Sequence, residues 1–219
     1  MKVVLFGATG MIGQGVLREC LLDEGVESVL SVTRRPGAVS HGKLRQVVHE
    51  DFLDFEPLAA QLRGLDACLF CLGVSSVGMS EADYTRVTRD VALAAARVLL
   101  RESPGLTFVF ISGAGTDAQG RAMWARVKGQ TEQALMAMPF SAVYAVRPGF
   151  IQPLHGIVSR TRWTRLLYAV LSPLTPLLKL LLPGMITTTE QLGRVMIDLA
   201  RRGGDQRILE ARDIAAARP

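Results

Sequence analysis

Residues 3–13 read Val3-Val4-Leu5-Phe6-Gly7-Ala8-Thr9-Gly10-Met11-Ile12-Gly13, and this stretch decides the fold. Four apolar residues suit a buried strand, three glycines at three-residue spacing suit a tight turn, and Met11–Asp23 carries helical spacing. The first glycine permits the turn, the second lets backbone approach a ligand, and the third lets helix and strand pack closely. A helix starting here directs unpaired N–H groups and the positive end of its dipole at the turn, a natural seat for a pyrophosphate. An ordinary strand–turn–helix connection is the plainer reading. Three glycines in this register, inside a βαβ pattern, favour a dinucleotide site.

Outward from that turn, short apolar runs alternate with helical patterns. Val29–Val32, Ala67–Leu72, Thr107–Ile111 and Ala142–Val146 are further strand candidates, with weaker ones at Gln46–Val48 and Ile208–Glu210. Glu81–Arg101 and Arg121–Met138 read as helices, and a closing helix begins near Thr187-Thr188-Thr189-Glu190, where Thr187 and Glu190 have capping-box spacing. Near-continuous apolar strands alternating with helices predict a parallel sheet covered on both faces. The expected fold is therefore α/β, a Rossmann-type doubly wound parallel sheet with a small, mostly helical C-terminal cap. One domain over residues 1–219 is expected, with 152–190 as a substrate-side extension.

Composition narrows the partners. The chain has 219 residues, 49% hydrophobic and 21% charged, which suits a packed core and argues against wholesale disorder. Of its 25 Lys/Arg and 20 Asp/Glu, residues 1–151 hold 15 of each. The basic excess thus lies wholly in the last third, which speaks against a general nucleic-acid binder. Ser159–Arg165 is basic and Leu166–Leu182 is almost entirely apolar apart from Lys179, but its uncharged start, Leu166–Leu178, is too short to span a bilayer. It reads as a cap over a pocket, an oligomer contact in a homodimer, or a peripheral membrane-surface segment; a monomer also remains open. The opening residues run into the glycine turn rather than a signal sequence, and only three cysteines occur, so a reducing, cytoplasmic setting is expected. Cys68 and Cys71 spell C-x-x-C, but three residues apart on a strand they face opposite ways, which disfavours a shared metal or a disulfide.

The second strand chooses the dinucleotide. An NAD site usually places an acid about 20 residues past the glycines, to accept from the ribose hydroxyl. Here the chain reads Ser31-Val32-Thr33-Arg34-Arg35-Pro36, with no acid. A guanidinium grips a 2′-phosphate that a carboxylate would repel, so Arg34 and Arg35 favour NADP over NAD. His49-Glu50-Asp51-Phe52 follows the third strand, where a side chain would meet the adenine edge, and Cys71-Leu72-Gly73 would close the cradle beside the switch in strand order.

At these residues the sequence resembles the short-chain dehydrogenase/reductase superfamily, and more closely its atypical branch of NAD(P)-dependent epimerase/dehydratase-like or Tat-interacting-protein-like oxidoreductases. The resemblance covers nearly the whole chain: the glycine turn, Thr33-Arg34-Arg35, Asp51-Phe52, Cys71-Leu72-Gly73, Ile111-Ser112, Lys128 and Arg147-Pro148-Gly149. It implies that Ser112 bonds the substrate oxygen, that Lys128 holds the nicotinamide ribose, and that Arg147, Pro148 and Gly149 lie near the nicotinamide. It also implies that Gly7, Thr9, Gly10, Met11, Ile12 and Gly13 seat the pyrophosphate. The family's Tyr-x-x-x-Lys reads Trp124-Ala125-Arg126-Val127-Lys128 here. Residues 124 and 128 still share a helix face, but an indole N–H is no usable acid near neutral pH. Ser112, Thr116, Tyr84 or water are the remaining proton relays, and His155 reads as a surface residue.

Three readings of function follow from these residues. One is an NADP(H)-dependent oxidoreductase acting on a small molecule with an unusual proton donor. Another is a non-catalytic NADP(H)-binding redox sensor or regulatory protein. A membrane-surface protein with the cofactor in a supporting role is a third.

Overall fold

The computed structural model describes residues 1–157 and 184–217. Its centre is a seven-stranded sheet, every neighbouring pair parallel. The strands are β1 (Lys2–Phe6), β2 (Ser28–Thr33), β3 (Leu44–Val48), β4 (Ala67–Phe70), β5 (Thr107–Ile111), β6 (Ala142–Val146) and, at the far edge, β9 (Ile208–Leu209). In space they run β3-β2-β1-β4-β5-β6-β9, so the order reverses between β1 and β4. That crevice, at the carboxyl ends of the strands, is where open α/β sheets bind ligands.

The sheet is covered on both faces, as the apolar strands require. On one face α1 (Met11–Leu22) and α5 (Thr189–Arg202) pack against Val3, Leu5, Leu69 and Val109; on the other, α3 (Val91–Glu102) and a 3₁₀ turn (Glu56–Leu62) cover Val4, Phe6, Cys68 and Phe108. Phe6, Phe55 and Phe70 cluster in that second core, with Phe6 meeting Phe55 edge-on and Phe70 at a tilt, both at 5.4 Å between ring centroids. Such pairs add about 0.5–1.5 kcal/mol each beyond area burial. Helices α1 and α5 approach through glycine: a Cβ on Gly15 would sit 2.6 Å from Thr189 Cβ.

Several expectations shift. Glu81–Arg101 is not one regular helix but α2 (Glu81–Thr85), a π turn (Arg86–Asp90) and α3. The closing helix is capped one residue later than its spacing suggested. Thr188, not Thr187, accepts from the Gln191 amide at 3.0 Å, and Glu190 lies inside the first turn. Two short strands were not foreseen: β7 (Phe150–Gln152) and β8 (Ile186–Thr188) pair in parallel as a separate ribbon. The last strand stops before Glu210, which caps α6 (Ala211–Ala216) in a capping box with Asp213. Helix α4 (Met123–Met136) stands as the sequence suggested. Ser159–Arg165 and Leu166–Leu182, and with them most of the expected cap, lie outside the described residues.

Cys68 and Cys71 fall in the two opposite cores, as a strand's two-residue period demands. Both thiols are buried and pushed well above their ordinary range by desolvation, so this C-x-x-C is inert packing.

Candidate functional site

The glycine turn leaves β1 and enters α1 at the switch point. Gly7 has φ +84°, and a Cβ there would lie 2.7 Å from the Cys71 carbonyl, so both conformation and space exclude a side chain. A Cβ on Gly13 would fall 2.0 Å from the Gly7 oxygen, which is the close helix–strand packing expected of the third glycine. Gly10 is the N-cap of α1 and accepts from the Gln14 amide at 2.9 Å, yet has no side chain to occupy the first-turn N–H groups. Those donors are left for a ligand.

A cavity of about 450 Å³ opens over this turn, lined by Gly7, Thr9, Val32, Thr33, Arg34, Arg35, Phe52 and Leu72. None of the lining residues carries a carboxylate. Arg34 and Arg35 are exposed and make no ion pair or hydrogen bond among the described residues. The Thr33 hydroxyl is buried without a hydrogen-bond partner, as is that of Ser31 on the same strand. A buried hydroxyl left unmatched costs about 1–3 kcal/mol, and of the two residues only Thr33 borders the cavity. Glycines that a Cβ would clash with, free helix amides and an orphaned hydroxyl together fit a dinucleotide. Phe52 reaches the cavity while Asp51 is drawn to its own turn, accepting from the Leu53 amide at 2.9 Å.

The other expected end of the site lies along β5 and α4. Ser112 follows β5 and is 6% exposed. Its hydroxyl lies 2.9 Å from that of Thr116, which donates to the Gly113 carbonyl at 2.8 Å. Lys128 projects from half-buried α4 and donates to the Ile111 carbonyl at 3.3 Å, with its ammonium 5.6 Å from the Phe110 ring centroid. Burial pulls the lysine down to about 8, against Glu132, which acts to raise it. Trp124 packs over the loop after Ser112: a Cβ on Gly115 would meet its ring at 3.7 Å. The structure thus gathers Ser112, Thr116, Lys128 and the Trp124 loop around the end of β5. None of them lines the cavity at the glycine turn.

Other expected residues go elsewhere. The Arg147 guanidinium is held bidentately by Glu132, at 3.0 and 2.5 Å, and by Glu210 at 2.7 Å. The side chain expected at the nicotinamide is therefore a tie between α4, β6 and α6. Pro148 accepts from the Ala114 amide at 3.0 Å, and a Cβ on Gly149 would fall 2.5 Å from the Met185 oxygen, so this turn buttresses the Ser112 loop and the β7–β8 ribbon. Tyr84 is 2% exposed and its phenol is pushed up by desolvation, a packing role rather than a relay. His155 pairs with Glu190 at 2.7 Å near the start of α5. Gln46 was overlooked in the sequence: its carboxamide accepts from the Gly37 amide at 2.7 Å and holds the loop that carries the two arginines. A single polar residue in a weak edge strand gave no local signal. Among the described residues no cluster could hold a metal ion, and no helix is long and apolar enough to cross a membrane.

Comparison with known proteins agrees with this geometry. Residues 3–135 match the model of the NAD dependent epimerase/dehydratase family. Among curated proteins, the mitochondrial protein FMP52-1 of Scheffersomyces stipitis is 24% identical over 154 residues, covering 69% of this chain and 67% of the relative. The chain spans about two thirds of the length of such relatives. Their names place them in mitochondria, which overturns the expectation of a cytoplasmic protein. Among solved structures, a short-chain dehydrogenase/reductase-family oxidoreductase from Burkholderia thailandensis superposes with TM-score 0.70 at 15% identity, covering 95% of this chain and 89% of its own. A dTDP-glucose 4,6-dehydratase from Streptomyces venezuelae, solved with NAD bound, gives 0.72 at 17% identity, covering 98% and 79%. These likenesses concern the fold.

Proposed function

Because the chain belongs to the NAD dependent epimerase/dehydratase family, we propose that it is an NADP(H)-binding oxidoreductase acting on a small molecule. The observation that carries the choice of NADP(H) is the pair of guanidinium groups, Arg34 and Arg35, without a partner among the described residues and at the rim of a cavity that none of those residues lines with a carboxylate. Gly7, Gly10 and Gly13 with the first amides of α1 would hold the pyrophosphate. Thr33 and Phe52 would meet the adenosine, and the two arginines would grip the 2′-phosphate. Bound there, the cofactor would supply a hydride acceptor or donor.

The residues at the end of β5 handle the substrate and its proton. Ser112 orients a substrate oxygen, its hydroxyl held beside that of Thr116. Lys128, held near 8 by its surroundings, exchanges a proton close to physiological pH and supports the ribose. Trp124 occupies the place of the usual acid and closes the loop over Gly113 and Gly115 without donating a proton. That same indole favours a second reading, a redox sensor that binds NADP(H) without turnover.

Replacing both arginines tests the assignment. Arg34→Ala with Arg35→Ala should weaken NADPH about 30- to 100-fold, the loss of two charge-assisted contacts. NADH should change by no more than about threefold on the same argument. Calorimetric titration reads both, and an equal loss for the two cofactors refutes the phosphate assignment.

A further inference from the structure

Resting on the NADP(H) reading above, we infer that Gln46 is a positioning residue that sets the preference for a 2′-phosphate by fixing the arginine loop. Gln46 is the third residue of edge strand β3, registered with Ser31 of β2. Its side chain reaches past the strand ends to the loop after β2. There Oε1 accepts from the Gly37 amide at 2.7 Å, while Nε2 donates to the Gly37 carbonyl at 3.2 Å and the Val39 carbonyl at 2.9 Å. One carboxamide thus satisfies three backbone groups of the loop and matches both an N–H and a C=O of the same glycine, as a strand neighbour would. Only an amide does this, because a carboxylate or a thioether lacks the donor hydrogens.

The loop is pinned against the glycine turn. A Cβ on Gly37 would lie 3.2 Å from Gln46 Oε1 and 3.8 Å from Thr9 Cγ2, so Gly37 sits between the two. Arg34 and Arg35 leave β2 just before this anchor and have no tie of their own among the described residues. Their side chains are free at the tip while the backbone beneath is fixed on both sides, by the β2–β3 ladder and by Gln46. Fixing the base in advance removes part of the ordering cost a phosphate would otherwise meet on binding. Gln46 touches no nucleotide in this arrangement and acts through the arginines alone.

Two small probes separate this role from general stability: 2′,5′-ADP, which carries the 2′-phosphate, and 5′-AMP, which does not. Calorimetry on the full chain should show that Gln46→Met, equal in length but without the amide, weakens 2′,5′-ADP about tenfold and leaves 5′-AMP within about twofold. Gln46→Glu keeps the acceptor for Gly37, loses both donations and adds a negative charge, so its loss for 2′,5′-ADP should be larger, about 30-fold. Circular dichroism confirms that each variant is folded, and the ratio of the two affinities is unaffected by any fraction unfolded. Equal weakening of both nucleotides, or an unchanged ratio in Gln46→Met, overturns the inference. A wild type that binds 2′,5′-ADP no tighter than 5′-AMP overturns the NADP(H) reading itself.

Discussion

Replacing Lys128 by Met should stabilise the protein at neutral pH while weakening the NADP(H) binding proposed above. Burial lowers this lysine from its ordinary 10.5 to about 8. At about 1.4 kcal/mol per pH unit, that gap corresponds to about 3.5 kcal/mol at most. Lys128 as a whole is only partly buried, so a screened value of about 1–2 kcal/mol is the working figure. Below pH 8 the lysine is charged in both folded and unfolded chains, and the folded state bears the full cost. Between 8 and 10.5 the unfolded chain holds more protons than the folded one, so wild-type stability gains as pH rises. Above 10.5 both forms are neutral and the cost is gone. Lys128→Met removes the charge and also gives up the 3.3 Å bond to Ile111, worth about 1 kcal/mol. Urea unfolding at pH 7 and again near pH 10.5 should therefore show the variant ahead by up to about 1 kcal/mol at pH 7, with that lead lost or reversed at the higher pH. A variant less stable at pH 7, or a gap that does not move with pH, refutes the reasoning. A stabilised variant that binds NADP(H) more weakly would show the strain to be functional.

Further outcomes follow from close contacts. Gly13→Ala puts a methyl 2.0 Å from the Gly7 oxygen, and backbone on both sides must shift. It should cost about 3 kcal/mol in a denaturant melt and abolish nucleotide binding, whereas a folded variant with wild-type affinity would contradict the cradle. Trp124→Tyr restores a phenol one helical turn from Lys128. NADPH oxidation against a panel of small aldehydes and ketones should then rise about 100-fold if position 124 borders the reacting atoms, and no rise would remove it from the site.

The core of the fold was legible because it is local. Val3–Gly13 carries strand, turn and helix start within eleven residues, and the buried strands announce themselves by unbroken apolar runs. What escaped depends on distance. β7 and β8 are three residues each, separated by more than thirty, and neither has a periodicity of its own. The π turn at Arg86–Asp90 leaves the apolar pattern of its helix intact. Thr187-Thr188-Thr189-Glu190-Gln191 offers two overlapping capping registers, and the one chosen lets Gln191 bond the Ile214 and Ala215 carbonyls, partners no local reading supplies.

The candidate site divides the same way. Glycine spacing and the missing acid after β2 were plain in the chain. Arg147 was not, because motif position pointed to the nicotinamide while its partners, Glu132 and Glu210, lie 15 and 63 residues away. Gln46 stayed hidden because a side chain that organises another segment's backbone looks, in sequence, like any solvated glutamine.

The proposed selectivity for NADP(H) needs a phosphorylated adenosine to meet the guanidinium groups of Arg34 and Arg35. Calorimetric titration of the wild-type protein with NADPH and with NADH, at matched and moderate ionic strength, tests this most directly. NADPH should bind at least about tenfold tighter, and raising the salt should narrow the difference. Equal affinities, or tighter binding of NADH, would contradict it.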